Sequence, residues 1–96
     1  MRILIVEDNK TLADGLGRML RDAGYVVDAV HDREGADAAL AAGGFDLVVL
    51  DLSLPDGDGL EVLGGIRAKG TPTAVLVLTA RGALDERIRG LDHGAD

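Results

Sequence analysis

The hydrophobic positions of the sequence concentrate in four short runs, at residues 3–6, 25–30, 45–50 and 74–78. The first, third and fourth runs consist largely of Val, Ile and Leu without regularly alternating polar residues. Such continuous runs are typical of strands that are buried on both faces of a parallel sheet. The second run alternates in part and contains Asp28, so it predicts an edge strand.

Apolar residues between and after these runs recur at helical spacing, which predicts helices at residues 11–23, 33–42, 59–69 and 84–92. Asp32 is placed to cap the second helix, and Gly24 is placed to end the first helix in a left-handed conformation. The predicted inward stripe of the first helix contains Leu12, Leu16, Met19, Leu20 and Ala23. Strands and helices alternate, which predicts one doubly wound α/β domain over residues 1–96.

Composition and charge narrow the possible functions. The chain has no cysteine and a net charge of −7. The absence of cysteine excludes disulfides, thiolate zinc sites and cysteine nucleophiles. The negative charge argues against a nucleic-acid interface on this domain and permits a cation site. The apolar run at 3–6 is too short for a signal peptide, and no run is long enough to cross a membrane, so we expect a cytoplasmic protein.

Acidic and hydroxyl side chains follow three of the predicted strands at the point where each strand ends. Glu7 and Asp8 follow the first strand, Asp51 follows the third and Thr79 follows the fourth. Because open parallel sheets bind ligands at the carboxyl ends of their strands, we expect these side chains on one rim. Clustered carboxylates repel one another unless one keeps a proton or a cation neutralises them, and oxygen ligands of this kind suit Mg²⁺.

A carboxylate beside Mg²⁺ can attack a phosphoryl group and form an aspartyl phosphate. The metal would offset negative charge on the transferring oxygens, and the hydroxyl of Thr79 could donate to one of them. The residues at the predicted rim therefore indicate phosphoryl-transfer chemistry.

Four stretches of the sequence resemble the receiver domain of two-component response regulators, in particular of the kind joined to a winged-helix DNA-binding domain. They are residues 2–8 (RILIVED), 46–60 (DLVVLDLSLPDGDGL), 77–81 (VLTAR) and 90–96 (GLDHGAD), in the expected order and spacing. The resemblance implies a flavodoxin-like fold with strand order 2-1-3-4. It also implies a phosphorylation-controlled switch rather than an enzyme that acts on an external substrate.

By this resemblance, Asp51 is the phosphoacceptor and Asp8 is a direct Mg²⁺ ligand. Glu7 would hold a metal-bound water, and the backbone carbonyl of Ser53 would complete the protein ligands. Thr79 would be the switch hydroxyl that moves toward the phosphate.

The resemblance also implies partners. The phosphodonor would be a sensor histidine kinase that docks mainly on the first helix. A homodimer could form through the fourth helix and the residues after it, where Arg87 and Asp96 match charged interface positions of the family. DNA would be contacted only by an output domain outside this sequence.

The sequence departs from the family pattern at its end. Receiver domains continue past a stretch like 94–96 into a fifth strand and a fifth helix, and a lysine after that strand contacts the phosphate. The two lysines of this sequence, Lys10 and Lys69, do not match that position. Without a fifth strand, residues 74–78 would form an apolar sheet edge that favours pairing with another chain. We therefore expect either a longer native chain or a dimerised, strand-swapped or partly unstable form.

Two other interpretations stay open at this point. Asp56 and Asp58 form an Asp-x-Asp-Gly sequence that resembles the nucleophile signature of haloacid-dehalogenase-like phosphatases. That signature should directly follow a strand, whereas residues 52–55 intervene here, and turn chemistry explains the same residues. A receiver that serves only as an interaction module is favoured by the missing lysine. His31 and His93 are expected to face solvent.

Overall fold

The computed structural model describes residues 1–70 and 72–78. Its strands are β1 (Arg2–Val6), β2 (Val26–Val30), β3 (Leu47–Asp51), β4 (Ser53–Leu54), β5 (Gly57–Asp58) and β6 (Ala74–Leu78). Its helices are α1 (Lys10–Asp22), α2 (Arg33–Ala42) and α3 (Gly59–Ala68). None of these helices is long and apolar enough to cross a membrane. The helix predicted at 84–92 lies outside the described residues.

The main sheet contains four parallel strands in the order β2-β1-β3-β6. The strands β4 and β5 pair with each other in a separate antiparallel hairpin, so β6 is the fourth strand of the main sheet along the chain. The predicted order 2-1-3-4 is therefore confirmed, and β2 lies at an edge as its partial alternation predicted.

Both faces of the central strands are buried, as the continuous apolar runs predicted. One face packs against α2 and α3 through a cluster that includes Leu4, Val6, Val48, Leu50, Leu63 and Ile66. The other face packs against α1 through a cluster that includes Ile3, Ile5, Ala13, Val27 and Val49. Helices therefore cover the sheet from both sides, which is the doubly wound arrangement.

The inner face of α1 differs from the predicted stripe. Ala13 and Gly17 are the buried positions of the helix, whereas Leu12 and Met19 are 46% and 60% exposed. The prediction was wrong at Leu12, Met19 and Ala23, which are exposed, because the face that is turned to the sheet is centred on Ala13 and Gly17. Leu16 and Leu20 of the stripe are partly buried and pack against the cluster that contains Ala13.

A side-chain oxygen caps the N-terminus of each described helix. The acceptors are Asn9 in α1, Asp32 in α2 and Asp58 in α3, and each accepts a backbone N–H two or three residues later at 2.7–3.0 Å. Asp32 thus has the capping role that the sequence predicted. After α1, Gly24 has a φ of 99°, in the left-handed region that favours glycine.

The strand β6 forms the edge of the main sheet opposite β2 in the described part of the chain. Leu76, on this strand, is 45% exposed. Residues 79–96 lie outside the description, so the consequences predicted for this edge stay predictions.

Candidate functional site

The register of β1 and β3 brings two carboxyl groups to the same level of the sheet. Val6, the last residue of β1, pairs with Leu50, so the residues that follow them, Glu7 and Asp51, are neighbours. Asp51 in turn pairs with Leu78 of β6. Because the strands are parallel, these positions share the carboxyl edge of the sheet, where ligand sites of this architecture form.

Glu7, Asp8 and Asp51 form an acidic cluster at this edge. Each contributes one carboxylate oxygen, and the three oxygens lie within 4.8 Å of one another. Glu7 and Asp51 are each only 7% exposed, whereas Asp8 is exposed. The cluster is therefore shielded by protein on one side and open to solvent at Asp8.

The protonation of the acidic cluster depends on contacts among its members. Burial raises the pKa of Glu7 to about 7, and hydrogen bonds with Asp51 and Asp8 act in the same direction. The hydrogen bond with Glu7 lowers the pKa of Asp8. Glu7 is thus partly protonated near neutral pH when no cation neutralises the cluster. A small hard cation would replace that proton, and three carboxylate oxygens are a donor set that fits Mg²⁺.

The segment after Asp51 turns back against the acidic cluster. The backbone N–H of Ser53 donates to Asp51 Oδ1 at 3.0 Å, and Ser53 pairs with Asp58 in the β4–β5 hairpin. Gly59 N–H donates to the carbonyl oxygen of Leu52 at 3.1 Å. A Cβ atom on Gly59 would lie 2.6 Å from the carbonyl oxygen of Asp51. The close approach of α3 to β3 at this point therefore requires glycine.

Three hydrogen bonds fix the backbone on the Glu7 side of the cluster. Glu7 N–H donates to the carbonyl oxygen of Val30 at 3.0 Å, and Asn9 N–H donates to Glu7 Oε2 at 3.2 Å. His31 Nδ1 lies 3.0 Å from the carbonyl oxygen of Glu7, to which it donates. The expectation that His31 faces solvent was wrong, because its place directly after β2 sets a half-buried ring beside the first strand.

Similarity to known regulators extends along the whole chain. Residues 3–96 match the model of the response regulator receiver domain. The chain belongs to this family. It is 50% identical over 96 residues to the transcriptional regulatory protein BasR of Escherichia coli and 49% identical to TcrA of Mycobacterium tuberculosis. The alignments cover this whole chain but only 43% of BasR and 38% of TcrA, so this receiver domain spans less than half the length of either relative.

A solved structure shows the same fold. Response regulator protein TrrA from Thermotoga maritima, crystallised in complex with Mg²⁺-BeF, superposes with a TM-score of 0.86 at 34% identity. The superposition covers 99% of this chain and 81% of that protein. The flavodoxin-like receiver fold is therefore confirmed.

Asp56 and Asp58, in the β4–β5 hairpin after Asp51, both accept backbone N–H groups at the N-termini of helices. Asp58 Oδ1 accepts the N–H of Leu60 in its own helix at 2.9 Å. Asp56 accepts the backbone N–H of Arg33 at 2.6 Å and that of Glu34 at 3.0 Å, one with each oxygen. Both carboxylates are thus engaged by helix ends, which argues against either as the nucleophile of a phosphatase. The sequence did not predict that Asp56 reaches a different helix.

The remaining residues singled out in the sequence fall into two groups. Thr79, Arg87 and Asp96 are outside the described residues, so their switch and dimer roles stay predictions. Lys10 is the first residue of α1. Lys69 is the C-cap of α3, at the end of that helix remote from the acidic cluster.

Proposed function

We propose that Asp51 is the phosphoacceptor of a two-component signalling switch, and that a sensor histidine kinase supplies the phosphoryl group in a Mg²⁺-dependent reaction. The observation that carries this proposal is the position of Asp51. It is 7% exposed, at the carboxyl end of β3, within a cluster whose three carboxylate oxygens lie within 4.8 Å of one another. Membership of the receiver family supports it, as does the Mg²⁺-BeF complex of TrrA.

In the transfer step, a carboxylate oxygen of Asp51 forms a bond to phosphorus while the P–N bond to the kinase phosphohistidine breaks. The electron pair of that bond returns to the imidazole nitrogen, which takes up a proton from solvent. The hydrogen bond from Ser53 N–H to Asp51 Oδ1 orients the carboxylate.

Four groups of this chain would hold Mg²⁺ in the proposed reaction. Asp8 and Asp51 would bind it directly, Glu7 through a water, and Ser53 through its backbone carbonyl. The ion supplies positive charge that offsets the charge on the transferring oxygens. Without a cation, the proton on Glu7 limits the repulsion within the cluster, since burial raises the pKa of Glu7 to about 7.

Phosphorylation would shift the domain between inactive and active populations, with Thr79 as the switch hydroxyl. A homodimer would form through the fourth helix and the residues after it, where Arg87 and Asp96 match interface positions of the family, or through the β6 edge. BasR and TcrA are named as transcriptional regulatory proteins. The proposed output is therefore control of transcription in the cytoplasm by a DNA-binding domain outside this sequence.

Incubation with acetyl phosphate and Mg²⁺, followed by intact-mass measurement, tests the proposal. We expect the mass of one phosphoryl group to be added to the wild type and to Asp56→Asn and Asp58→Asn, but not to Asp51→Asn. Phosphorylation of Asp51→Asn would contradict the assignment. Phosphoester hydrolysis that is lost in Asp56→Asn or Asp58→Asn would favour a phosphatase. A folded wild type that is never modified would favour an interaction module.

A further inference from the structure

We propose that Asp56 is a positioning residue that fixes the tip of the β4–β5 hairpin on the first turn of α2 and thereby holds Ser53 beside the acidic cluster. The inference rests on the proposed Mg²⁺ site, because it assigns to Asp56 the role of keeping one of its ligands in place.

The tie between the hairpin and α2 consists of two hydrogen bonds to one carboxylate. Asp56 accepts the N–H of Arg33 through Oδ1 and the N–H of Glu34 through Oδ2. These partners are 23 and 22 residues away in the sequence, so the contact joins two separate elements. The Arg33 N–H also holds the pKa of Asp56 below its ordinary value, so the carboxylate is ionised, and therefore a strong acceptor, near neutral pH.

The side chain of Arg33 strengthens the same contact. A Cβ atom on Gly57, the residue after Asp56, would lie 2.5 Å from Arg33 Cδ, so the hairpin packs directly against this side chain. The guanidinium group of Arg33 bonds to Glu61 of α3 and lies 3.6 Å from Asp37 of α2. The first turn of α2 therefore contacts the hairpin through both its backbone and its side chain.

The hairpin connects Asp56 to Ser53, the proposed metal ligand, over a short stretch of chain. Its two rungs pair Ser53 with Asp58 and Leu54 with Gly57, and Leu54 is buried in the core. Ser53 is three residues before Asp56, which limits their Cα separation to about 11 Å. An open depression beside Asp8 is lined by Leu52, Ser53, Leu54, Pro55, Gly57 and Asp58. The hairpin thus forms one wall of the space next to the cluster, and its tip is held by Asp56.

The helix α2 offers a matched control for this role. Asp32 Oδ1 accepts the N–H of Gly35 at 2.7 Å, so two carboxylates cap the same helix end. Only Asp56 belongs to the hairpin. Removal of either carboxylate weakens the end of α2, but only removal of Asp56 releases the hairpin tip.

The test is a calorimetric Mg²⁺ titration of the intact protein as wild type, Asp56→Ala, Asp56→Asn and Asp32→Ala, with thermal melts of each without Mg²⁺. We expect Asp56→Ala to weaken Mg²⁺ binding about tenfold, the low end of the range for residues that orient metal ligands. Asp32→Ala should bind Mg²⁺ like the wild type despite a comparable fall in melting temperature. Asp56→Asn should be intermediate, because its amide oxygen can still accept an N–H.

Two outcomes would overturn the inference while leaving the proposed function standing. One is wild-type Mg²⁺ affinity in Asp56→Ala, and the other is equal weakening in Asp56→Ala and Asp32→Ala, which would reduce Asp56 to an ordinary helix cap. If Asp56→Ala does not fold, the comparison of Asp56→Asn with Asp32→Ala decides in the same way. Failure of the proposed site has a different signature, since the wild type and Asp51→Asn would then bind Mg²⁺ equally or not at all.

Discussion

Glu7, directly after β1, forms a side-chain hydrogen bond with Asp51 at the end of β3, and this contact adds to burial in raising the pKa of Glu7 to about 7. Both side chains are 7% exposed. The proton on Glu7 therefore occupies the place that a cation would take in the cluster, so proton binding and metal binding compete.

The stability of the domain without metal should fall as pH rises from 4.5 to about 7. In this window the folded state keeps a proton on Glu7 that the unfolded chain releases, because burial raises the pKa of Glu7 from 4.5 to about 7. The loss is complete above pH 7 and amounts to at most about 3 kcal/mol. The lowered pKa of Asp8 acts at more acidic pH, where stability is lost as pH falls below 3.8.

Urea unfolding in the presence of a chelator at several pH values measures this effect. Glu7→Gln is the control, since an amide cannot ionise. The unfolding free energy of this variant should therefore not show the fall between pH 4.5 and 7 that the titration of Glu7 causes in the wild type. Parallel pH profiles for the wild type and Glu7→Gln would show that Glu7 does not keep its proton in the folded state.

Mg²⁺ should bind more tightly at pH 8 than at pH 6. With the pKa of Glu7 raised to about 7, the ionised fraction of this residue increases about tenfold between these two pH values, and the affinity should increase by a similar factor. Calorimetric titrations at the two pH values give the ratio of the Mg²⁺ affinity at pH 8 to that at pH 6. In Glu7→Gln this ratio should fall toward one. An affinity that does not change with pH would place the Mg²⁺ site away from Glu7.

Two glycines of α3 should respond in opposite directions to alanine. In Gly59→Ala, the new Cβ atom would meet the Asp51 carbonyl oxygen at 2.6 Å and Leu52 Cα at 2.7 Å, so the backbone beside Asp51 must shift. We expect a destabilisation of about 1–3 kcal/mol and weaker Mg²⁺ binding. Among residues 1–70 and 72–78, no neighbouring atom lies within 4 Å of the Cβ position of Gly65, which is exposed, so Gly65→Ala should stabilise the helix by about 1 kcal/mol.

Thermal or urea unfolding of both variants measures the difference. Gly65→Ala also tests whether any substitution in α3 weakens Mg²⁺ binding, because Gly65 lies in the same helix as Gly59 but its Cβ position does not contact β3. Equal stability of Gly59→Ala and the wild type would contradict the close approach of α3 to Asp51.

The strands and the acidic cluster could be predicted because each depends on a local signal. Continuous Val, Ile and Leu runs identify strands that are buried on both faces, and the parallel order places their carboxyl ends on one rim. The end of each run therefore identifies the residue that reaches the rim, Glu7 or Asp51, from the local sequence alone.

The parts that sequence reasoning missed depend on contacts between distant segments. Strands of two residues such as β4 and β5 are too short to show a period of two. Asp56 looks like a turn residue in its own loop, and its role becomes visible only when α2 is placed beside it. In α1, the position of the sheet decides that Ala13 lies inside and Met19 outside, since both belong to apolar helical patterns.

The exposed apolar face of α1 should be needed for phosphotransfer from the kinase and not for the chemistry itself. Leu12 and Met19 are 46% and 60% exposed, and both line an open groove on this helix. The double variant Leu12→Ala, Met19→Ala should slow transfer from the phosphorylated kinase by about tenfold or more, as for interface anchors, while phosphorylation by acetyl phosphate stays at the wild-type rate. Val26→Ala is the control, because Val26 is 59% exposed on β2 and should affect neither rate. Equal slowing with both phosphodonors would show that these side chains act on the phosphoacceptor site instead of on kinase docking.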